Sequence, residues 1–126
     1  MSATLAVGLD LVEVERIRTA LERTPALAER VFTPSELEYC RRAADPSERL
    51  AVRWAAKEAV MKCLGGGVPG VDLRSIEVGH EPDGAPTLSV TGDASDRAAE
   101  RGISRWLVSL SHTATMAQAV VVALSD

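Results

Sequence analysis

The sequence predicts an α+β fold in which an N-terminal strand and helices pack on a mainly antiparallel sheet. Helix-start signals and helical apolar spacings fill the first half, whereas the second half is built from short apolar runs between turn signals. Only residues 4–12 of the first half alternate with a period of two. Leu5, Val7, Leu9 and Leu11 share one face of that strand. Ala6, Gly8, Asp10 and Val12 share the other, so Asp10 is a carboxylate in an otherwise apolar strand.

A helix fits residues 13–23, with Val14, Ile17 and Leu21 as its buried stripe and Arg16 and Arg23 left exposed; Thr24-Pro25 ends it. Thr33-Pro34-Ser35-Glu36 reads as a capped start, Thr first, Pro at the first helical position and Glu at the third. That helix is expected to run to about Ala44. Asp45-Pro46-Ser47-Glu48 repeats the pattern and opens the main helix, near 46–64. Leu50, Trp54, Met61 and Leu64 lie at helical spacings along it, and Gly65-Gly66-Gly67 stops it. Beyond it come strands at 76–78 and 88–90 around the Glu81-Pro82-Asp83-Gly84 turn, then a short helix at 94–101. Strands at 106–111 and 117–124 follow, with a turn from His112 to Thr115 between them.

A chain of 126 residues suits one domain, 1–126, with one core. Composition is that of ordinary soluble proteins, 46% hydrophobic and 25% charged, and aromatics are scarce, so Leu, Val, Ile and Ala must build the core. No apolar run is long enough to span a membrane and no secretion signal is recognisable, which points to the cytoplasm. Cys40 and Cys63 are expected as free thiols, and no spacing suggests zinc. The net charge of -4 comes wholly from the second half; residues 1–62 carry ten basic and ten acidic side chains. An acidic chain poor in aromatics is a weak candidate for nucleic-acid binding. A local basic surface could still meet an acidic protein or a nucleotide.

Chemistry gathers in two stretches, Gly8 to Ile17 and Arg53 to Lys62. Two carboxylates can hold one hard cation, and lysines beside a glycine-rich turn suit phosphates. Asp10, Glu58, Lys57 and Lys62 therefore suggest metal-assisted chemistry on a phosphate ester or anhydride. Each has a blander reading. Glu58 and Lys62 lie four apart and could form a surface ion pair; Asp10 could cap the following helix, which spacing alone slightly favours. Against this, Arg53 and Lys57 form a like-charge pair, and a bound anion would account for the excess of positive charge. Three glycines exceed what a cap needs, yet no Gly-Lys-Ser/Thr follows, so this is not a Walker loop. His112 at a strand end reads first as a polar cap and second as a ligand contact.

These residues in this order resemble the holo-[acyl-carrier-protein] synthase family, the small 4'-phosphopantetheinyl transferases. The match spans nearly the whole chain: Gly8-Leu9-Asp10-Leu11-Val12 with a following Glu and Arg, Phe32-Thr33-Pro34-Ser35-Glu36-Leu37, Trp54-Ala55-Ala56-Lys57-Glu58-Ala59 with Lys62 and Gly65, and Val108 to His112 with Ala117 to Val122. The resemblance implies transfer of the 4'-phosphopantetheine arm of coenzyme A to a serine of an acyl carrier protein, with adenosine 3',5'-bisphosphate released. By position, Asp10 and Glu58 match magnesium ligands. Lys62, Arg53 and Lys57 would hold phosphates, and the backbone of Gly65, Gly66 and Gly67 with His112 would line the coenzyme site. Glu58 would take the serine proton directly or through a water. Arg16 and Arg23 would face the acidic carrier, Arg16 foremost. The family is typically a homotrimer. The sequence departs from it at Gly65-Gly66-Gly67, where Gly-Thr-Gly is more usual, and at Cys63, where a small Ala is common.

Overall fold

The computed structural model describes residues 2–66 and 70–126. Strand β1 (Thr4–Glu13) runs straight into helix α1 (Val14–Arg23). Two short helices follow, α2 (Leu27–Val31) and α3 (Pro34–Cys40), and then the long helix α4 (Ser47–Cys63). A 3₁₀ turn at Leu73–Ser75 leads into the hairpin of β2 (Ile76–His80) and β3 (Pro86–Val90). Helix α5 (Gly92–Glu100) and strands β4 (Arg105–His112) and β5 (Met116–Leu124) complete the chain.

All strand pairs are antiparallel. β5 lies between β1 and β4, while β2 and β3 form a separate two-stranded sheet. Pairing of the first strand with the last closes the chain on itself, with Asp10 opposite Ala119 and Val7 opposite Val122.

Helix α4 lies across the three-stranded sheet and is the centre of the core. Ala51, Val52, Ala55, Ala56, Ala59 and Val60 are buried along it, and so are the charged Arg53 and Lys57, so the helix is enclosed on most sides. Its small residues let the sheet approach closely. A Cβ built on Gly8 would stand 2.0 Å from the Ala59 carbonyl oxygen, so only glycine fits where β1 crosses α4. The small face of β1 is therefore the inner one, and it carries Asp10 toward the helix. The larger apolar face, Leu5, Val7, Leu9 and Leu11, points outward.

Helix α3 starts as its sequence predicts. Thr33 Oγ1 accepts from Glu36 N at 3.2 Å and the Glu36 carboxylate accepts from Thr33 N at 2.9 Å, a complete capping box. It ends at Cys40, short of Ala44, where Arg42 N and Ala43 N switch to the tighter three-residue bonds, to Tyr39 O and Cys40 O. The second expected box does not form. Asp45 accepts from Ser47 N at 3.0 Å and from Arg18 at 2.8 Å, tying α1 to the start of α4, while Glu48 reaches His112 instead. At its other end α4 is closed by Gly65 and Gly66, both at positive φ, with Gly66 N donating to Met61 O at 2.8 Å.

Candidate active site

The crossing at Gly8 sets Asp10 of β1 beside Glu58 and Lys62 of α4. Lys62 Nζ donates to the Leu9 carbonyl at 2.6 Å and to Asp10 Oδ1 at 3.3 Å. It does not pair with Glu58, so the surface ion pair four residues apart is not made. Nor does Asp10 cap α1. The strand continues to Glu13, and Val14 N, the first helical amide, donates to Thr115 O. Both bland readings of the carboxylates are thus set aside by geometry.

Burial pushes the Glu58 carboxyl up, and the neighbouring Asp10 charge pushes it the same way against a pull from Lys62. Lys62 supplies one positive charge to two neighbouring carboxylates, so the group keeps a net negative charge in a half-buried setting. Among the described residues no group of three or more His, Cys, Asp or Glu side chains gathers to hold a metal. A two-carboxylate donor set suits Mg²⁺, which keeps several waters and takes substrate phosphates rather than a full protein cage.

Asp10 and Glu58 open into a cavity of about 410 Å³. Arg16 stands at its wall from α1, and Ile17, Leu21, Phe32 and Trp54 make much of the rest apolar. Arg23 is exposed at the end of α1.

A second cavity, about 420 Å³, lies between α4, the β2–β3 hairpin and the β4–β5 turn. Arg53 and His112, two of the sequence-predicted residues, line it together with Arg49, Tyr39 and His80. Arg49 and Arg53 lie over the Tyr39 ring at 4.5 and 4.6 Å, and His80 leans on the same ring at 4.7 Å. Arg53 is only 7% exposed, and its Nε has no partner among the described residues. His112 Nδ1 lies 3.1 Å from Glu48 Oε1, which orients the ring. Two guanidinium groups and two imidazoles converge here.

Lys57 is corrected. Its side chain is 0% exposed and its ammonium is spent internally, on Glu36 at 2.8 Å and on the Leu73 and Ile76 carbonyls. Burial draws its pKa down against the opposing charge of Glu36. With three donors engaged, Lys57 has none to offer a phosphate. The N–H groups of Gly65 and Gly66 close α4, donating to Lys62 O and Met61 O, so they do not face a ligand. Gly67 lies outside the described residues. Sequence reasoning also passed over Tyr39, Arg49, His80 and Glu48. The one available signal was Tyr39, the only tyrosine in a chain poor in aromatics.

Paired carboxylates beside a lysine, with a separate cationic cavity on the same helix, suit group transfer on phosphate. The model of the 4'-phosphopantetheinyl transferase superfamily matches residues 6–122. The holo-[acyl-carrier-protein] synthase of Salinispora arenicola is 50% identical over 121 residues, covering 94% of this chain and 97% of that one. Among solved structures, the holo-[acyl-carrier-protein] synthase of Neisseria meningitidis superposes with a TM-score of 0.84 at 38% identity, covering 96% of this chain and 98% of its own. The Helicobacter pylori enzyme, solved in complex with coenzyme A, gives 0.81 at 30% identity, covering 94% and 99%. This chain belongs to the holo-[acyl-carrier-protein] synthase family and is an enzyme of that family.

Proposed function

We propose that this single domain, residues 1–126, catalyses Mg²⁺-dependent transfer of 4'-phosphopantetheine from coenzyme A to a serine hydroxyl of an apo acyl carrier protein in the cytoplasm. The observation that carries this reading is the convergence of Asp10 and Glu58 on one cavity, with Lys62 beside them. In the reaction the serine oxygen bonds to the phosphorus that carries the pantetheine. The bond from that phosphorus to the bridging pyrophosphate oxygen breaks, and adenosine 3',5'-bisphosphate leaves with the electron pair. Mg²⁺ held by Asp10 and Glu58 would neutralise the charge that develops on the phosphate oxygens.

The chain's own groups supply the rest. Lys62, with its side chain 52% exposed, is free to turn from the Leu9 carbonyl to a phosphate. Arg53 and His112, with Arg49 and His80 nearby, suit the anionic nucleotide end of the coenzyme. Glu58 would receive the serine proton, directly or through a water. Arg16 stands at the mouth of the carboxylate cavity, and Arg23 lies two turns further along α1, so the two present positive charge to an acidic carrier.

Association with further copies, as a homotrimer, belongs to the same reading. The outward residues of β1 and Leu107 of β4 are 46–62% exposed, although all are large and apolar. The carboxylate cavity and the cationic cavity share no lining residue and open on different sides of α4. One coenzyme would reach both kinds of group where the carboxylates of one copy meet the cationic cavity of the next.

The deciding experiment is intact-mass spectrometry of an apo carrier protein incubated with the chain, coenzyme A and Mg²⁺. The expected outcome is a gain of one phosphopantetheine, abolished by chelator and by Glu58→Ala. No gain across several carriers, with coenzyme A bound to folded protein, would mean a binding module rather than a transferase.

A further inference from the structure

The Glu36–Lys57 pair is a buried charge pair that the reaction does not use. Both side chains are fully buried and 2.8 Å apart. Glu36 Oε1 also accepts from Thr33 N, and its Oε2 accepts from Val78 N at 2.8 Å. Lys57 Nζ donates to the carbonyls of Leu73 and Ile76 and lies 5.7 Å from the centre of the Phe32 ring. Two side chains thus join α3, α4, the 3₁₀ turn and β2 at one point, with every strong donor and acceptor engaged.

Stability alone is a poor reason for such a pair. Replacing a buried ion pair by apolar residues is often neutral or stabilising, because taking the charges out of water offsets their attraction. What the pair does supply is direction. Lys57 follows Arg53 by one helical turn and precedes Glu58, so it sits on α4 between the two half-sites. Through Val78 and Ile76 it fixes β2, whose Gly79 and His80 wall the cationic cavity. Phe32, beside its ammonium, walls the carboxylate cavity. No other buried charged pair stands among the described residues.

We propose that Glu36 and Lys57 are positioning residues that hold the β2–β3 hairpin at a fixed distance from Arg53, and so set affinity for the nucleotide end of the coenzyme. The inference rests on the coenzyme reading of that cavity.

The test is steady-state kinetics of Lys57→Met and Glu36→Gln beside Arg53→Ala, with the folded fraction of each followed by circular dichroism. Positioning predicts that folded Lys57→Met raises KM for coenzyme A on the order of tenfold while kcat falls less, since the loss is in substrate binding. KM for the carrier protein stays near the parent value. A purely structural pair predicts an unchanged KM for coenzyme A, with turnover tracking the folded fraction, and that result overturns the proposal. If Lys57→Met does not fold, Glu36→Gln is judged by the same split; failure of both to fold makes the pair a folding determinant and overturns positioning as well. Arg53→Ala separates the two readings. Weaker coenzyme binding in Arg53→Ala with no effect in Lys57→Met removes only the positioning role. No effect in either removes the coenzyme reading of the cavity.

Discussion

At Glu58 a carboxyl group is held above its ordinary range by burial and by Asp10. A carboxyl whose folded pKa is raised contributes stability that is present below the unfolded pKa and is lost as pH climbs through the folded one. When Glu58 ionises in the folded protein it does so against its surroundings. A divalent cation bound by Asp10 and Glu58 would reverse that balance. Mg²⁺ is expected to raise the melting temperature of the parent and not of Glu58→Ala. At one hundred times its Kd the linkage amounts to about 2.7 kcal/mol. Binding should weaken as pH falls through the raised Glu58 value, and calorimetry in buffers of different ionisation enthalpy would detect the proton released. Affinity that stays flat across that range would remove Glu58 from the site. Asp10→Ala and Glu58→Ala are each expected to lower turnover on the order of 10²–10³-fold, as for loss of one preorganised electrostatic group, with circular dichroism unchanged. Normal turnover in either variant would remove the metal assignment.

Helix α4 and strand β1 translate these residue effects into geometry, and Gly8 is where they touch. Gly8→Ala would drive a methyl into the Ala59 carbonyl, at a cost of roughly 1–3 kcal/mol for an overpacked contact. Because Asp10 follows on the same strand, Mg²⁺ affinity should fall together with the melting temperature. A loss of stability with unchanged affinity would show that β1 does not set the spacing of the carboxylates. On α1, Arg16→Glu is expected to weaken carrier binding more than coenzyme binding, and most at low salt; equal loss of both would sink that interface. Local signals made much of this architecture legible. The capping residues Thr33 and Glu36, the period of β1 and the glycines after α4 each act on their own neighbours. Helix α2 and the 3₁₀ turn were not legible, being five and three residues long, too short to show a period. Lys57 misled for a related reason. A lysine in a charged stretch reads as exposed, and its interior placement depends on Glu36, twenty-one positions earlier, and Ile76, nineteen later.

For the whole molecule, convergence at a distance decides what sequence cannot. Arg49 and Arg53 are neighbours on α4, but His80 and His112 join them only once the β2–β3 hairpin and the β4–β5 turn have folded over the start of that helix. The two faces of β1 pose the same problem. Both are apolar in sequence, and only the packing of α4 shows that Leu5, Val7, Leu9 and Leu11 face away from the core. That face runs across the sheet, since Val7 pairs with Val122 and Val122 with Leu107, which makes a continuous apolar row over three strands. A contiguous exposed apolar row of this kind marks an interaction surface, and a second copy of the chain would be present wherever the protein is. Sedimentation equilibrium is expected to show three copies at micromolar concentration. Val7→Glu with Leu107→Glu should shift the protein toward monomer, because each copy would bury unpaired carboxylates at the contact. Both side chains point away from Asp10 and Glu58, so Mg²⁺ affinity should persist in the monomer, while transfer to the carrier should collapse because the cationic cavity of a neighbour is gone. Full transfer activity in a stable monomer would show that one chain holds the complete site.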